Sequence, residues 1–473
     1  MPLILPGNVG SATAATGFNV ANSCMFDDAG SDYLRTSGFG TPTSSKKMTI
    51  SFWTKRANLG INTRTISATT SGNSRDGLMF NTSDKILFFL NNAPAGNLVT
   101  TRVFRDTSAW YHFVIAIDTT QGTASNRVKI YVNGVQETLF DSGGDGIVYP
   151  DENYDILGFG QNKEQTIGAD NSGGGSNEIY AGYMAEFCFI DGTQNAVTDF
   201  GEFGEDSGIW KPIDVSGLTF GNNGYYLDFE NSGALGADVS GNTNNFAVNN
   251  LTAIDQTTDT CTNNFATLNP LSVNSDQGTF SEGNLQLLHG SNAFRTGFAS
   301  MGATKGKWYC EIKRVTATSF AVGVISLDFK SITPNITYMG GVGTPNLGYF
   351  RDGNTGVNGS ETSGYESYAN GDTLMIGLDL DNGKVYFGKN GTWGNSGDPT
   401  SGATGTGARS ITVGGEVWSF GVSVYNATAQ CNFGSPPYAI SSGNQDGDGY
   451  GNFEYAVPSG YFSLCTKNLA EYG

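Results

Sequence analysis

Few residues in this sequence have types and spacing that could do chemistry. Its two histidines are His112, inside an apolar run, and His289, in front of a glycine, and neither lies next to an acidic residue. The composition therefore allows a Ser-His-Asp hydrolase, but no sequence motif indicates one. The sequence also has no His-Glu-x-x-His zinc motif and no glycine-rich phosphate loop.

Glycan hydrolysis is the enzymatic alternative with a clear requirement. It needs two carboxylates that flank the scissile bond, and on a strand residues i and i+2 share a face. No Glu-x-Asp-x-Glu run supplies such a pair. The densest acidic group is interrupted by glycines and consists of Asp199, Glu202, Glu205 and Asp206. Its spacing does not fit a strand and predicts a solvated loop.

A turn near the end of the chain resembles the start of a calcium loop. Residues 444–450 place oxygen-bearing side chains at positions one, three and five and a glycine at position six. Position twelve is Tyr455, so the closing bidentate glutamate is missing. Two interpretations stay open: either Asp446 and Asp448 bind calcium, the one cofactor that the sequence suggests, or the run is a turn that needs no metal.

Two loops rich in glycine, serine and asparagine combine aromatic with polar side chains. Aromatic faces stack on sugar rings, while amides and carboxylates bond to hydroxyl groups. The predicted ligand-binding residues are Tyr349, Phe350, Arg351, Asp352, Tyr365 and Tyr368. The alternative is that these aromatic rings cover an edge of the fold or pack against a neighbouring subunit.

The composition indicates which elements position these residues. Glycine supplies 67 of 473 residues, about twice its usual ~7% share, and charged residues are 15% against a usual ~25%. The excess of Gly, Asn, Thr, Ser, Tyr and Phe favours turns and strands over helices. Aromatic residues make up 12% of the chain, enough to build large cores. These proportions predict an all-β protein.

Charge and hydropathy exclude several function classes. The formal net charge is −19, which argues against nucleic-acid binding because that depends on Lys and Arg at phosphates. The sequence contains no run of eighteen apolar residues, so it predicts no membrane-inserted segment. The first residues lack the basic start and long apolar stretch of a secretion signal, so we expect synthesis in a cytoplasm. None of the six cysteines forms a Cys-x-x-Cys zinc motif.

Strand patterns form two sets along the chain. The first set includes residues 47–53, 110–118 and 128–132, and the last of these runs into the Asn-Gly turn at 133–134. The second set includes residues 308–313, 320–325, 373–380, 384–387, 417–424 and 429–433. Many short strands separated by Gly and Asn turns predict antiparallel sandwiches.

The stretch between the two sets shows no clear strand or helix pattern, but it contains a short repeated sequence. Thr-Asn-Asn-Phe-Ala occurs at residues 243–247 and again at 262–266. We interpret this stretch as an ordered connector whose phenylalanines dock on one sandwich or the other, with chance recurrence as the alternative. The predicted parts are an N-terminal docking segment 1–16, a sandwich 17–200, a connector 201–270, a second sandwich 271–440 and a C-terminal extension 441–473.

The docking segment is predicted from its apolar character and its prolines. Proline is excluded from central strands, so this segment cannot join a sheet interior and is expected to dock on a partner subunit. Its residues are Pro2, Leu3, Ile4, Leu5 and Pro6.

The two strand sets carry resemblances to known families. The first resembles the laminin-G or concanavalin-A-like family in residues 25–34, 48–55, 110–118, 128–134 and 182–189. The second resembles the SPRY domain in residues 306–311, 371–379, 385–391 and 432–434. The resemblances imply two antiparallel jelly-roll or concanavalin-A-like β-sandwiches that bind partners through their outer loops.

The order of the parts resembles a group of bacteriophage virion proteins, mostly from marine phages. That group opens with a Leu-Ile-Leu-Pro-like segment and ends in a run similar to residues 458–469. The resemblance implies a non-enzymatic virion structural protein of tail-fibre or receptor-binding type, made in the host cytoplasm. Its expected partners are copies of itself, other tail, adaptor or capsid proteins, and a host surface glycan. The alternatives are a capsid-surface decoration or head-fibre protein without a defined ligand, and a glycan-degrading sandwich enzyme.

Overall fold

The computed structural model describes residues 17–70, 74–92, 95–143, 146–170, 177–272, 278–327 and 336–473. The chain forms two compact units, an N-terminal unit that ends at Thr262 and a C-terminal unit that spans Asn263–Gly473. The docking segment predicted at residues 1–16 lies outside the described residues.

The N-terminal unit is built from short antiparallel strands and one helical turn, α1 (Ala124–Arg127). Its strands are β1 (Ser23–Phe26), β2 (Tyr33–Thr36), β3 (Lys47–Arg56), β4 (Thr63–Thr69), β5 (Arg75–Phe80), β6 (Ile86–Leu90), β7 (Gly96–Val99), β8 (Trp110–Asp118), β9 (Val128–Val132), β10 (Val135–Gln136), β11 (Gln165–Ile167), β12 (Gly182–Asp191), β13 (Gly201–Phe203), β14 (Trp210–Pro212), β15 (Tyr225–Leu227), β16 (Ala247–Asn249) and β17 (Gln256–Thr257).

Fifteen of these strands form two facing sheets, and β13 and β14 pair with each other in a separate two-stranded sheet. The first has the order β10-β9-β8-β3-β12-β1-β17, with β15 also paired to β12, and the second has the order β16-β2-β11-β4-β5-β6-β7. Side chains from both sheets, including Phe52 and Phe113 of the first and Leu78 and Phe88 of the second, share one buried core. Two antiparallel layers around a common core make this unit a β-sandwich.

The outer face of the first sheet is also covered. Val114 and Cys188 point away from the main core and pack with Phe200, Val215 and Phe220 in a second buried cluster. Strands buried on both faces read as nearly continuous apolar runs, as β8 and β12 do. The residues that supply this cover follow β12 in the chain.

The structure does not contain a separate connector at residues 201–270. Residues 201–262 belong to the N-terminal unit, where β15 pairs with β12, β16 with β2 and β17 with β1. The sandwich predicted to end at residue 200 extends to Thr262. Both phenylalanines of the repeated sequence are docked, since Phe246 lies in the N-terminal core and Phe265 is buried within the C-terminal unit.

The C-terminal unit contains longer strands and ends in the helix α2 (Thr466–Tyr472). Its strands are β18 (Thr279–Ser281), β19 (Gln286–His289), β20 (Arg295–Phe298), β21 (Lys307–Leu327), β22 (Asn346–Phe350), β23 (Thr355–Val357), β24 (Ser360–Thr362), β25 (Thr373–Asp379), β26 (Lys384–Lys389), β27 (Thr392–Trp393), β28 (Arg409–Ser410), β29 (Val417–Asn432) and β30 (Phe462–Ser463).

The long strands β21 and β29 organise this unit. They pair with each other along most of their length, while the first half of β21 also pairs with β25 and the second half with β22. Both halves of β21 contribute to one core, through Trp308 and Ile312 on one side and Phe320 and Val324 on the other. The predicted all-β class is confirmed, and the unit is a second sandwich-type β-structure.

The residues predicted as a C-terminal extension, 441–473, are an integral part of the C-terminal unit. Strand β30 pairs in parallel with β21, and Leu464 and Leu469 lie in the core. The second sandwich predicted at 271–440 thus begins at Asn263 and includes the end of the chain. Within the described ranges of the chain, no helix has the length and hydropathy needed to cross a lipid bilayer.

Candidate functional site

An open groove with a volume of about 520 Å³ lies on the C-terminal unit. Three elements build it: β21, the turn between β22 and β23, and the loop that leads into β25. The residues that line it are Arg314, Arg351, Asp352, Tyr368, Ala369 and Asn370.

Backbone hydrogen bonds hold the two loops against β21. The N–H of Gly371 donates to the carbonyl of Arg314 (2.7 Å), and the N–H of Tyr368 donates to the carbonyl of Arg351 (2.9 Å). Strand β21 shifts its register against β29 between Arg314 and Thr316, so Arg314 lies at an irregularity in the strand. The groove is therefore formed by fixed backbone on three elements.

Arg314 forms part of the groove lining from within the fold. Its side chain is held by two carbonyl groups, because Nη1 donates to Tyr368 O (2.9 Å) and Nη2 donates to Ala317 O (2.8 Å). The residue is 5% exposed, and its Nε has no hydrogen-bond partner among the residues that the structure describes. Burial lowers the pKa of Arg314 and so does the positive charge of Arg351, whereas Tyr368 and Asp372 act in the opposite direction.

The exposed part of the lining is polar. Arg351, Asp352 and Asn370 are exposed, and Arg351 Nη1 donates to the carbonyl of Thr318 at 2.8 Å. The Asp352 carboxylate accepts hydrogen bonds from the backbone and side-chain nitrogens of Asn354, at 3.1 and 3.2 Å. The turn thus exposes both a guanidinium and a carboxylate to solvent.

The expected exposure of the aromatic rings is wrong for two of the predicted residues. Tyr349 is 1% and Tyr368 5% exposed, and both belong to the core of the C-terminal unit. The Tyr368 hydroxyl lies within hydrogen-bond distance of two carbonyl oxygens, those of Phe320 (3.1 Å) and Tyr349 (2.9 Å), and donates its one hydrogen between them. These rings pack inside the fold, which favours the alternative that they serve the fold itself.

The other two predicted aromatic residues are half-buried. The Tyr365 hydroxyl donates to the carbonyl of Gly407 at 2.7 Å, and Phe350 packs against Tyr338 with ring centroids 5.9 Å apart. Of the six predicted ligand-binding residues, the groove brings together Arg351, Asp352 and one edge of Tyr368.

Sequence reasoning missed three of the groove residues. Arg314 sits in a strand whose alternation gives no reason to single it out, and Ala369 and Asn370 follow Tyr368 in the same loop. The only signal for the loop was Asn370-Gly371, which is typical of a tight turn. Their association with Arg351 depends on the fold.

A polar cluster in the N-terminal unit surrounds His112. The Nδ1 atom of His112 accepts a hydrogen bond from Trp210 Nε1 (2.9 Å), and its Nε2 lies 2.9 Å from Ser51 Oγ. An indole nitrogen can only donate, so Nδ1 carries no proton and Nε2–H donates to Ser51. Burial lowers the pKa of His112 to about 3, so the ring is neutral. Ser51 is therefore an acceptor from His112 and is not activated as a nucleophile.

Glu186 lies beside this cluster at an irregularity of β12. Its φ is +51°, and the pairing of β12 with β3 shifts register between Ala185 and Cys188. The Tyr226 hydroxyl donates to Glu186 Oε2 at 2.6 Å. Burial raises the pKa of Glu186 to about 7. The space between Glu186, Ser51 and His112 has no room for a water-sized molecule.

Comparison with known protein families finds a match within the N-terminal unit. Residues 28–196 match the Laminin_G_3 family, described as the concanavalin A-like lectin/glucanases superfamily. The N-terminal unit therefore contains a concanavalin A-like domain, which confirms the predicted laminin-G resemblance. No curated protein matches the chain.

Solved structures similar to the chain include SPRY domains and a pentraxin. The SPRY domain of human HERC1 is 20% identical, covering 35% of this chain and 96% of that one, with a TM-score of 0.26. The heptameric SAP-like pentraxin from Limulus polyphemus is 14% identical, covering 37% and 78%, with a TM-score of 0.28. The TRIM65 PSpry domain is 16% identical, covering 35% and 91%, with a TM-score of 0.27.

The two carboxylates predicted for calcium have different environments. Asp446 is buried and accepts five protein hydrogen bonds, whereas Asp448 is exposed. Among the described residues, no group of three or more His, Cys, Asp or Glu side chains is arranged to hold a metal ion. Calcium binding at this turn stays a prediction.

Replacing Glu186 by glutamine is expected to flatten the pH dependence of stability of the N-terminal unit. With a pKa of about 7 when folded against 4.5 as the reference, the carboxyl binds more protons in the folded chain. The free energy of unfolding therefore decreases as pH rises from about 4.5 to about 7, by up to about 3 kcal/mol. Glutamine has no such proton to lose.

The measurement is thermal unfolding of the wild type and Glu186→Gln from about pH 5 to about pH 8. The wild-type Tm should fall more steeply with pH than that of the variant. Some slope should remain in the variant, because burial also raises the pKa of Asp32 to about 7 and that of Asp76 to about 6. Equal slopes in the two proteins would contradict the assignment to Glu186.

Proposed function

We propose that this chain is a non-enzymatic bacteriophage virion protein of the tail-fibre or receptor-binding type, whose C-terminal unit binds a host surface glycan in the groove. The observation that carries the glycan proposal is the open groove with Arg351, Asp352 and Asn370 exposed along it. The virion assignment is supported by the sequence resemblance to phage virion proteins. Its expected partners are other tail, adaptor or capsid proteins and copies of the chain itself.

The size and chemistry of the groove suit a short stretch of sugar units. The groove has a volume of about 520 Å³ and is wide open to solvent, which suits a chain of sugar units lying along the surface. Guanidinium, carboxylate and amide groups together offer donors and acceptors to sugar hydroxyls. Because backbone hydrogen bonds fix the surrounding loops, little ordering is needed on binding.

The arrangement of carboxylates favours binding over hydrolysis. Among the lining residues Asp352 is the one carboxylate, and both of its oxygens accept hydrogen bonds from Asn354. Glycoside hydrolysis requires a second carboxylate across the scissile bond. In the N-terminal unit, Glu186 is enclosed and Ser51 is not activated by His112.

Obstruction of the groove is expected to abolish glycan binding. Ala369 is exposed in the lining, so Ala369→Trp should fill the groove and weaken binding at least about tenfold, or about 1.4 kcal/mol. The measurement is binding of the purified full-length chain to an array of bacterial surface glycans. Ser360→Trp is the matched control, because it adds the same side chain at an exposed position outside the groove.

Three outcomes would count against the proposal. Absence of binding to every glycan on the array would favour the decoration-protein alternative. Equal loss in Ala369→Trp and Ser360→Trp would place the glycan site elsewhere. Release of free sugar from a bound polysaccharide, measured as new reducing ends, would favour the enzyme alternative.

A further inference from the structure

Among the described residues, the two arginines at the groove have no carboxylate partner, whereas each arginine of the N-terminal unit forms an ion pair with a carboxylate. Arg56 lies 3.2 Å from Asp84, and Arg75 lies 3.1 Å from Asp170. Within the described residues, neither Arg314 nor Arg351 has a carboxylate oxygen within the 4.0 Å of an ion pair. Such partners are abundant in the chain as a whole, which has 44 acidic and 25 basic side chains.

The two guanidinium groups are fixed rather than mobile. Three carbonyl groups hold them: those of Tyr368 and Ala317 bind Arg314, and that of Thr318 binds Arg351. These hydrogen bonds stabilise each guanidinium group but do not neutralise its positive charge. Burying an arginine is costly, Arg314 is 5% exposed, and the charge of Asp372 acts on it from beyond ion-pair distance. A bound anion would lower this cost.

The neighbouring carboxylates are engaged in turns. The oxygens of Asp352 accept hydrogen bonds from Asn354. Those of Asp372 accept from the backbone N–H of Ala369 (2.8 Å) and from Asn390 Nδ2 (2.7 Å). Both carboxylates shape the loops that carry the groove. Asp372 also favours the charged form of Arg314, so the exposed Arg351 is the group left to an external partner.

We propose that the groove selects glycans that carry a carboxylate, an inference that rests on the proposed function. The exposed guanidinium of Arg351 binds the carboxylate of an acidic sugar directly, and Arg314 strengthens the positive potential from the floor. Arginine suits this task because its planar group of donors matches a carboxylate with two parallel hydrogen bonds. The chain as a whole is acidic, so attraction to such a glycan must come from this local pair of charges.

The test compares matched probes that differ only in charge. Oligogalacturonate and its methyl ester share one backbone, and the ester removes the negative charge. The same comparison is made for every acidic glycan that binds on the array, before and after methyl esterification. The wild-type chain should bind the acidic form about ten- to a hundredfold more tightly, as expected for a hydrogen-bonded charge pair.

Three variants assign the preference to particular residues. Arg351→Gln should abolish the preference for the acidic probes, because their binding loses a charge pair whereas binding of the esters loses only neutral hydrogen bonds and falls much less. Asp352→Asn should increase binding of the acidic probes, because it removes a competing negative charge. Lys305→Gln is the control, since it removes one positive charge from an exposed position outside the groove. Thermal unfolding of each variant verifies that it is folded.

The outcomes separate this inference from the proposed function. If the wild type binds glycans but shows no preference for the acidic forms, the inference is overturned and the proposed function stands. A preference that survives Arg351→Gln also overturns it. If no glycan binds at all, the proposed function itself fails.

Discussion

Replacing Asp259 by alanine is expected to lower the free energy of unfolding of the N-terminal unit by about 3–5 kcal/mol, as for other broken buried ion pairs. Lys55 Nζ lies 2.7 Å from Asp259 Oδ2, and each side chain is 1% exposed. Trp110 Nε1 donates to the other carboxylate oxygen at 3.1 Å. Burial lowers the pKa of Lys55 and the Asp259 charge opposes that shift, so loss of Asp259 removes the carboxylate that is hydrogen-bonded to the buried ammonium group.

The measurement is thermal unfolding, in which a loss of this size lowers the Tm by about 6–20 °C for a unit of this length. Asp206→Ala, in an exposed position, is the control and should change the Tm little. The double variant Lys55→Met/Asp259→Leu should recover most of the stability, because an apolar pair of similar volume often replaces a buried ion pair at little cost. A wild-type Tm for Asp259→Ala would mean that the segment around it is a loosely held linker.

The Asp259 ion pair shows why the connector could not be recognised from sequence. Lys55 and Asp259 are 204 residues apart in the chain. The strands Tyr225–Leu227, Ala247–Asn249 and Gln256–Thr257 are too short for a period-two pattern to identify. They exist because they pair with strands formed far earlier in the chain. Because this pairing depends on distant parts of the chain, the sequence of residues 201–262 shows no strand pattern of its own.

Local signals, in contrast, predicted the central strands and one hairpin well. The Asn133-Gly134 turn connects β9 to β10, and both residues have positive φ, +48° and +80°. This conformation is what Asn-Gly supplies in two-residue hairpins. The near-continuous apolar run of β8 is likewise a local signal, and it fits the burial of that strand on both faces. Each of these features is encoded within ten residues, which is why sequence reasoning reached it.

Only part of the groove could be predicted from the sequence, because some of its residues are placed by local signals and others by distant strand pairing. Arg351 and Asp352 follow an apolar strand at a glycine turn, so their exposure is a local property. The composition of the surrounding segments predicts that Tyr349 and Tyr368 contact a ligand. Both rings are instead buried in the core, because burial of a large ring stabilises the fold strongly. Arg314 reaches the groove only because β21 packs beneath both loops.

Replacing Asp446 by alanine is expected to destabilise the C-terminal unit by at least about 3 kcal/mol, because several buried donors lose a charged acceptor. Oδ1 accepts from the backbone nitrogens of Asp448 (3.1 Å) and Tyr450 (2.9 Å). Oδ2 accepts from Ser463 N (2.9 Å), Ser463 Oγ (2.7 Å) and Asn468 Nδ2 (2.8 Å). This one carboxylate thus ties the 444–450 turn to β30 and α2.

Thermal unfolding with added calcium and with a chelator distinguishes the two interpretations of this turn. If Asp446 acts through its five hydrogen bonds, Asp446→Ala lowers the Tm equally in both conditions, and Asp448→Ala, at an exposed position, changes it little. If the turn binds calcium, the wild-type Tm rises with calcium and both variants lose that rise. The hydrogen-bond role predicts the first result, because five donors already use the acceptor capacity of a carboxylate, which has about four lone-pair sites.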